Sequence, residues 1–125
     1  MRVPLTIFLV SVVLLPSADH ASAAAAGKVW TKVTVGNGTN SWRAITSSAD
    51  GAKLAAVVGT WGNPGNIWIS YNSGATWTED TSVGATKDWD AITSSADGTK
   101  LAATVEGGNI WTSSNSGATW TEDTS

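Results

Sequence analysis

Two carboxylates flank a tryptophan at Asp88-Trp89-Asp90, where an earlier and nearly identical stretch has Ser41-Trp42-Arg43. Acids two positions apart on a strand point to one side, so Asp88 and Asp90 are candidates for acid/base work or for holding a cation. A solvated pair of charges at a strand start is the simpler and preferred reading. Trp61 is the other residue of interest. It lies with Asn63 in Gly59-Thr-Trp-Gly-Asn-Pro-Gly65 and has no counterpart in the later stretch. An exposed tryptophan can stack on a sugar ring or anchor a protein partner; it can equally fold back on its own strands. With Arg43, these residues make the candidate ligand-binding set: Trp61, Asn63, Arg43, Asp88 and Asp90.

Much other chemistry is excluded. The chain has no cysteine and one histidine, His20. Thiol catalysis and Cys-ligated metal therefore drop out, and because His20 falls in the N-terminal stretch expected to be removed, the mature chain can build neither a Ser-His relay nor the usual zinc set. No catalytic residue, metal or cofactor is expected. Net charge is −3, and the five lysines and the arginine beyond residue 24 are scattered. The clustered basic face that nucleic acid requires is missing. Asn37-Gly38-Thr39 is an N-glycosylation acceptor in a eukaryotic host.

The start of the chain reads as an address rather than as structure. Arg2 precedes an apolar run from Leu5 to Leu15, Pro16 ends it, and Ala21-Ser22-Ala23 offers a cleavage site. The run is shorter than the roughly 20 residues a bilayer span needs, so residues 1–23 are expected to be a cleaved export signal. Location is then extracellular or periplasmic, with no membrane segment after cleavage.

The elements that must position the candidate residues follow from an internal repeat. Residues 42–58 and 89–105 agree at 14 of 17 positions, and residues 66–82 and 109–125 at 15 of 17. A partial third copy precedes both, since Trp30 stands to Trp42 as Trp77 stands to Trp89. Each full copy reads as four short strands. Strand a, Trp42 to Ser47, alternates Trp42, Ala44 and Thr46 against Arg43 and Ile45. Asp50-Gly51 marks a hairpin turn. Strand b, Lys53 to Val58, is an apolar run of the doubly buried kind, and the cluster at 62–65 is expected to end it because proline lacks a ladder donor. Strand c covers Ile67–Ser70 and strand d Thr76–Glu79. No stretch beyond the signal keeps a helical period. The expected fold is all-β: two four-stranded antiparallel β-propeller blades and one extra N-terminal strand. The organisation is signal peptide 1–23, N-terminal strand and linker 24–41, first blade 42–82 and second blade 83–125.

Ser70-Tyr-Asn72-Ser-Gly74-Ala-Thr76-Trp77 and Ser113-Ser-Asn115-Ser-Gly117-Ala-Thr119-Trp120 resemble the Asp-box (BNR) motif, S/T-x-D/N-x-G-x-T-W, with asparagine for the commoner aspartate. With the W-x-x-I-x-x-S-x-D-G-x-x-L element, the resemblance spans most of the chain past the signal. It is similar to the repeats of sialidases and photosystem II assembly factors. The resemblance implies that the box caps the turn between the third and fourth strands and is a folding device: asparagine closes such turns on the backbone and glycine takes the left-handed position.

Antiparallel strands put the d–a and b–c loops at one end of each blade and the a–b and c–d loops at the other. Differences between the copies concentrate in the d–a and b–c loops, so specific recognition is expected there. Seven of the eight tryptophans fall on repeat positions and are expected to pack between blades; Glu79-Asp80 and Glu122-Asp123 read as edge protection. Three functions fit: a secreted non-catalytic module binding a glycan or an extracellular protein; part of a larger Asp-box enzyme such as a sialidase or other glycoside hydrolase; or a purely structural array. The resemblance implies an arginine cluster and an activated tyrosine for a sialidase, and only Arg43 and Tyr71 are present beyond the signal. Two blades leave apolar flanks on both sides, because propellers close with about four to eight. Further blades in a longer chain, or a homo-oligomer such as a trimer, are the expected remedies.

Overall fold

The computed structural model describes residues 31–125. The expected export signal, His20 and the N-terminal strand as far as Trp30 lie outside the described residues. Eight strands follow in order: β1 (Trp42–Ser47), β2 (Leu54–Thr60), β3 (Asn63–Ser70), β4 (Thr78–Asp80), β5 (Trp89–Ser94), β6 (Leu101–Val105), β7 (Ile110–Ser113) and β8 (Thr121–Glu122). They form two four-stranded antiparallel sheets, ordered β1-β2-β3-β4 and β5-β6-β7-β8. The fold is all-β, with two blade-like sheets.

Hydrophobic burial joins the sheets. Pairing aligns Ala44, Val57 and Ile67 across the first sheet, and Thr46, Ala55 and Ile69 beside them. These rows meet Trp89, Ile92, Leu101, Ala103 and Trp111 of the second sheet in one core. Val57 and Ile67 are wholly buried, and side chains of that size each contribute about 1.5–3 kcal/mol on burial. β2 is apolar on both faces because the core covers one and Trp68 pairs beside Ala56 on the other.

Three local expectations change. Trp42 pairs with Val58 and Ala44 with Val57, so Trp42 and Arg43 together oppose one residue. This bulge reverses the face of Trp42 relative to Ala44. Trp42 thereby joins Trp68 and Trp77, with ring centroids 6.1 and 6.4 Å away. β5 repeats the irregularity between Trp89 and Ala91, and Trp89 stands 6.3 Å from Trp111 and 6.5 Å from Trp120. Secondly, the cluster at 62–65 does not end the hairpin. β2 and β3 pair through Gly59–Pro64 to Thr60–Asn63, and the register shift after Val57 accommodates a proline that brings no amide donor. Thirdly, residues 31–41 carry no strand: they turn at Gly36–Gly38 and bury Val35.

The β3–β4 turn explains why strand d begins at Thr78 and not at the expected Thr76. The Ser70 hydroxyl donates to Asn72 Oδ1 and accepts the Gly74 amide at 2.9 Å; Asn72 Oδ1 accepts the Thr76 amide at 2.9 Å, while Asn72 Nδ2 donates to Thr76 Oγ1. Thr76 is consumed by the turn. The second copy repeats every bond from Ser113 to Thr119. Two successive residues are left-handed, Ser73 at φ 56° and Gly74 at φ 83°. The serine costs on the order of 1 kcal/mol there, which the closed bond network offsets.

Candidate functional site

The candidate residues gather at one end of the sheets because backbone bonds draw two connections together. Gly65 and Lys87 exchange a pair of amide–carbonyl bonds of 3.0 Å, and the Gly59 amide donates to Ser41 O at 3.1 Å. A Cβ on Gly59 would stand 2.7 Å from the Trp89 nitrogen; the β2–β3 hairpin and the β4–β5 connection touch backbone to backbone. Indole Nε1 of Trp89 adds a bond to Gly65 O at 3.1 Å. At the opposite end the Ser73 amide reaches Ala52 O, the Ser116 amide Thr99 O, and the Ala49 amide Ala96 O. The two ends are those expected from strand direction.

The hairpin carries Trp61 outward. Trp61 and Gly62 form its two-residue tip, with Gly62 at φ 78°, and Trp61 is 84 % exposed. Asn63 follows, exposed and paired with Thr60 across the ladder. An indole this open on a base tied by four backbone or indole bonds has a fixed root and a wet ring. That suits stacking against a planar or sugar face at modest ordering cost.

Arg43 and Asp90 meet, although 47 residues separate them. Arg43 Nη2 lies 2.9 Å from Asp90 Oδ1, with both side chains substantially exposed. Each is the second residue of a bulge, which brings the first strands of the two sheets into register for the pair. Asp88 is placed differently: its Oδ1 is closed to solvent and has no hydrogen-bond partner. The two acids therefore do not form the one-sided pair that strand alternation suggested. The bulge at Trp89 breaks that alternation, and Asp90 is engaged by an arginine. Among the described residues, no three of His, Cys, Asp or Glu gather as a metal site.

Two contacts had no signal in the single strands. Lys87 Nζ sits 4.5 Å above the Trp111 ring, a cation–π contact. Trp120 Nε1 donates to Asp80 Oδ2 at 2.7 Å between the sheets, so Asp80 is an inter-sheet acceptor besides an edge charge. At the far end the Ser48 hydroxyl, with the Ala52 amide, holds the Asp50 carboxyl below the usual range. Ser95 and Thr99 hold Asp97 well below it in the same manner. These shifts belong to closed turns and mark scaffold.

No protein-family profile matches the chain, and no curated protein matches it. Among solved structures, the chain is similar to a GH74 enzyme from Niastella koreensis at TM-score 0.52 and 24 % identity, over 65 % of this chain and 11 % of that one. It is also similar to YCF48 from Cyanidioschyzon merolae at TM-score 0.52 and 14 % identity, over 66 % of this chain and 23 % of the other. The chain thus spans about a tenth and a quarter of those proteins, and what it shares with both is the fold: two four-stranded antiparallel sheets of the propeller kind.

Proposed function

We propose that this chain supplies the blades of a secreted, non-catalytic propeller-type binding module, which recognises a glycan or an extracellular protein through the end bearing Trp61. The observation that carries the reading is the exposed indole on a hairpin rooted in the neighbouring connection. Ser70–Trp77 and Ser113–Trp120 are read as Asp-boxes with a structural role, since their polar groups are used within the turns. Export rests on the apolar run of residues 5–15.

A second reading has one observation in its favour. The likeness to a GH74 enzyme fits a part of a larger glycoside hydrolase whose acids lie on other blades. Glycoside hydrolysis needs two carboxyl groups flanking the bond, and here Asp90 is held by Arg43 while Asp88 is partly closed off.

A glycan array probed with the purified chain tests the first reading. Binding to a defined glycan class that falls at least about tenfold in Trp61→Ala supports a sugar-binding tip. Glycan binding untouched by Trp61→Ala overturns the assignment of the site. Release of reducing ends from a soluble glucan by the chain alone would overturn the non-catalytic reading.

A further inference from the structure

The contact between the sheets has a receiving side and an inserted side, and the chain carries a second, unused copy of each. Ala44, Thr46, Ala55, Val57, Ile67 and Ile69 of the first sheet receive. Trp89, Ile92, Leu101, Ala103, Trp111 and Trp120 of the second are inserted. The repeat places Ala91, Thr93, Ala102, Thr104, Ile110 and Thr112 on the outer side of the second sheet, where the pairing puts them in the same two rows. Four of these six are identical to their receiving counterparts; Thr104 and Thr112 replace Val57 and Ile69. Ile110 is 50 % exposed where Ile67 is 0 %. A concavity of about 470 Å³ opens at the turn end of this side, where Thr93, Ala102 and Thr112 of the second row line it together with Ser95, Lys100 and Ser114.

The inserted side is duplicated without change: Trp42, Ile45, Leu54, Ala56, Trp68 and Trp77 match the six inserted residues of the second sheet. Among the described residues no blade covers it either, and Ile45 is 42 % exposed where Ile92 is 8 %. We propose that the outer side of the second sheet receives the first sheet of another copy of this chain, head to tail.

Charge selects the occupant. Within the chain, the receiving sheet offers Arg43 and the inserted one Asp90, 2.9 Å apart. On the outer side the receiving sheet offers Asp90. A first sheet brings Arg43 to it and restores the pair in reverse, whereas a second sheet would set Asp90 against Asp90. Two other cross-sheet side-chain bonds carry over with residue types intact, whereas the bond from Tyr71 Oη to Ser116 O does not, because Ser114 stands in place of Tyr71. Lys53 Nζ reaches Ser116 Oγ at 3.1 Å, and Lys100 and Ser73 are their counterparts. Trp120 Nε1 reaches Asp80 at 2.7 Å, and Trp77 and Asp123 are theirs.

One segment must move. Residues 31–41 correspond to 78–88, so in the docked pair residues 31–35 of the incoming copy coincide with the β8 end of the receiving one. Residues 31–35 hold no ladder, whereas β8 pairs with β7. The incoming segment is therefore the one displaced, which uncovers Trp68 beside Gly36. The two threonines weaken the seat relative to the internal one and make docking reversible. Two to four copies would close a ring of about four to eight blades.

Sedimentation velocity on the purified chain and three variants tests the proposal. Ile45→Glu disables the inserted side and Thr112→Glu the receiving side; both positions are solvent-facing in the single chain, and circular dichroism checks that each variant is folded. The wild type should associate with rising concentration, and each variant alone should stay monomeric. Their equimolar mixture should form a dimer and nothing larger, because one intact contact remains. Thr112→Ile should tighten self-association about tenfold. Wild type and Thr112→Ile both monomeric throughout, or folded variants associating as the wild type does, would overturn head-to-tail docking. A mixture that yields no dimer would do the same.

Discussion

At the scale of single residues, Trp61 and the Arg43–Asp90 pair are instructive for opposite reasons. Trp61 is 84 % exposed at a hairpin tip, so Trp61→Ala should leave the unfolding free energy within about 0.5 kcal/mol of the wild type, as surface changes do. Urea denaturation measures this, and it separates a ligand-facing role from a packing one. Arg43 and Asp90 are bonded at 2.9 Å in partly exposed positions. A double-mutant cycle with Arg43→Ala and Asp90→Ala should return a coupling of about 0.2–1 kcal/mol that shrinks at high salt. Trp61 was legible because it falls outside the repeat. The ion pair was not, because nothing local in WRA or WDA states that the two bulges face each other.

At the scale of elements, the closed turns set where strands begin and how acid affects them. Ser70 is buried and accepts the Gly74 amide while donating to Asn72. Ser70→Ala leaves that amide without its partner and should cost about 1–3 kcal/mol, read as a lower denaturation midpoint. In the β1–β2 and β5–β6 turns, Asp50 and Asp97 have carboxyls held below their ordinary value, first by Ser48 and Ser95 and then by backbone amides. A depressed folded pKa contributes stability above the unfolded value of about 3.9, and that contribution is lost as pH falls below it. The melting temperature should therefore be insensitive to these turns at neutral pH and fall below about pH 4. Asp97→Asn should flatten that fall. The motif spelled out this turn chemistry in advance, whereas the start of β4 at Thr78 emerged only once Thr76 was seen spent on Asn72.

For the whole molecule, the core lies between the sheets and not within either. Ile67 is completely buried in the cluster that includes Trp89 and Trp111. Ile67→Ala should cost about 2–5 kcal/mol through lost burial and a residual cavity. Because the cavity opens at the seam, fluorescence of the second sheet's tryptophans and the global unfolding transition should shift together. Separate transitions would show that the sheets fold independently.

Repetition, strand periodicity and turn residues determined much of this protein by themselves: two copies of four strands, the turn closures, and the division of loops between two ends. Those features depend on neighbours a few residues apart, and a near-identical second copy confirms each inference from the first. The tertiary structure decided what depends on residues meeting across the chain. It turned Trp42 away from Ala44 through a bulge and continued β2 and β3 past Pro64 to lift Trp61 outward. It set Asp90 against Arg43, closed one oxygen of Asp88 from solvent, and stacked one sheet's tryptophan side on the other's aliphatic rows. The physical reason is that alternation along a strand gives relative faces only while the ladder stays regular. One extra residue in the register reverses everything on one side of it, and only the packed partner reveals which side the core has taken.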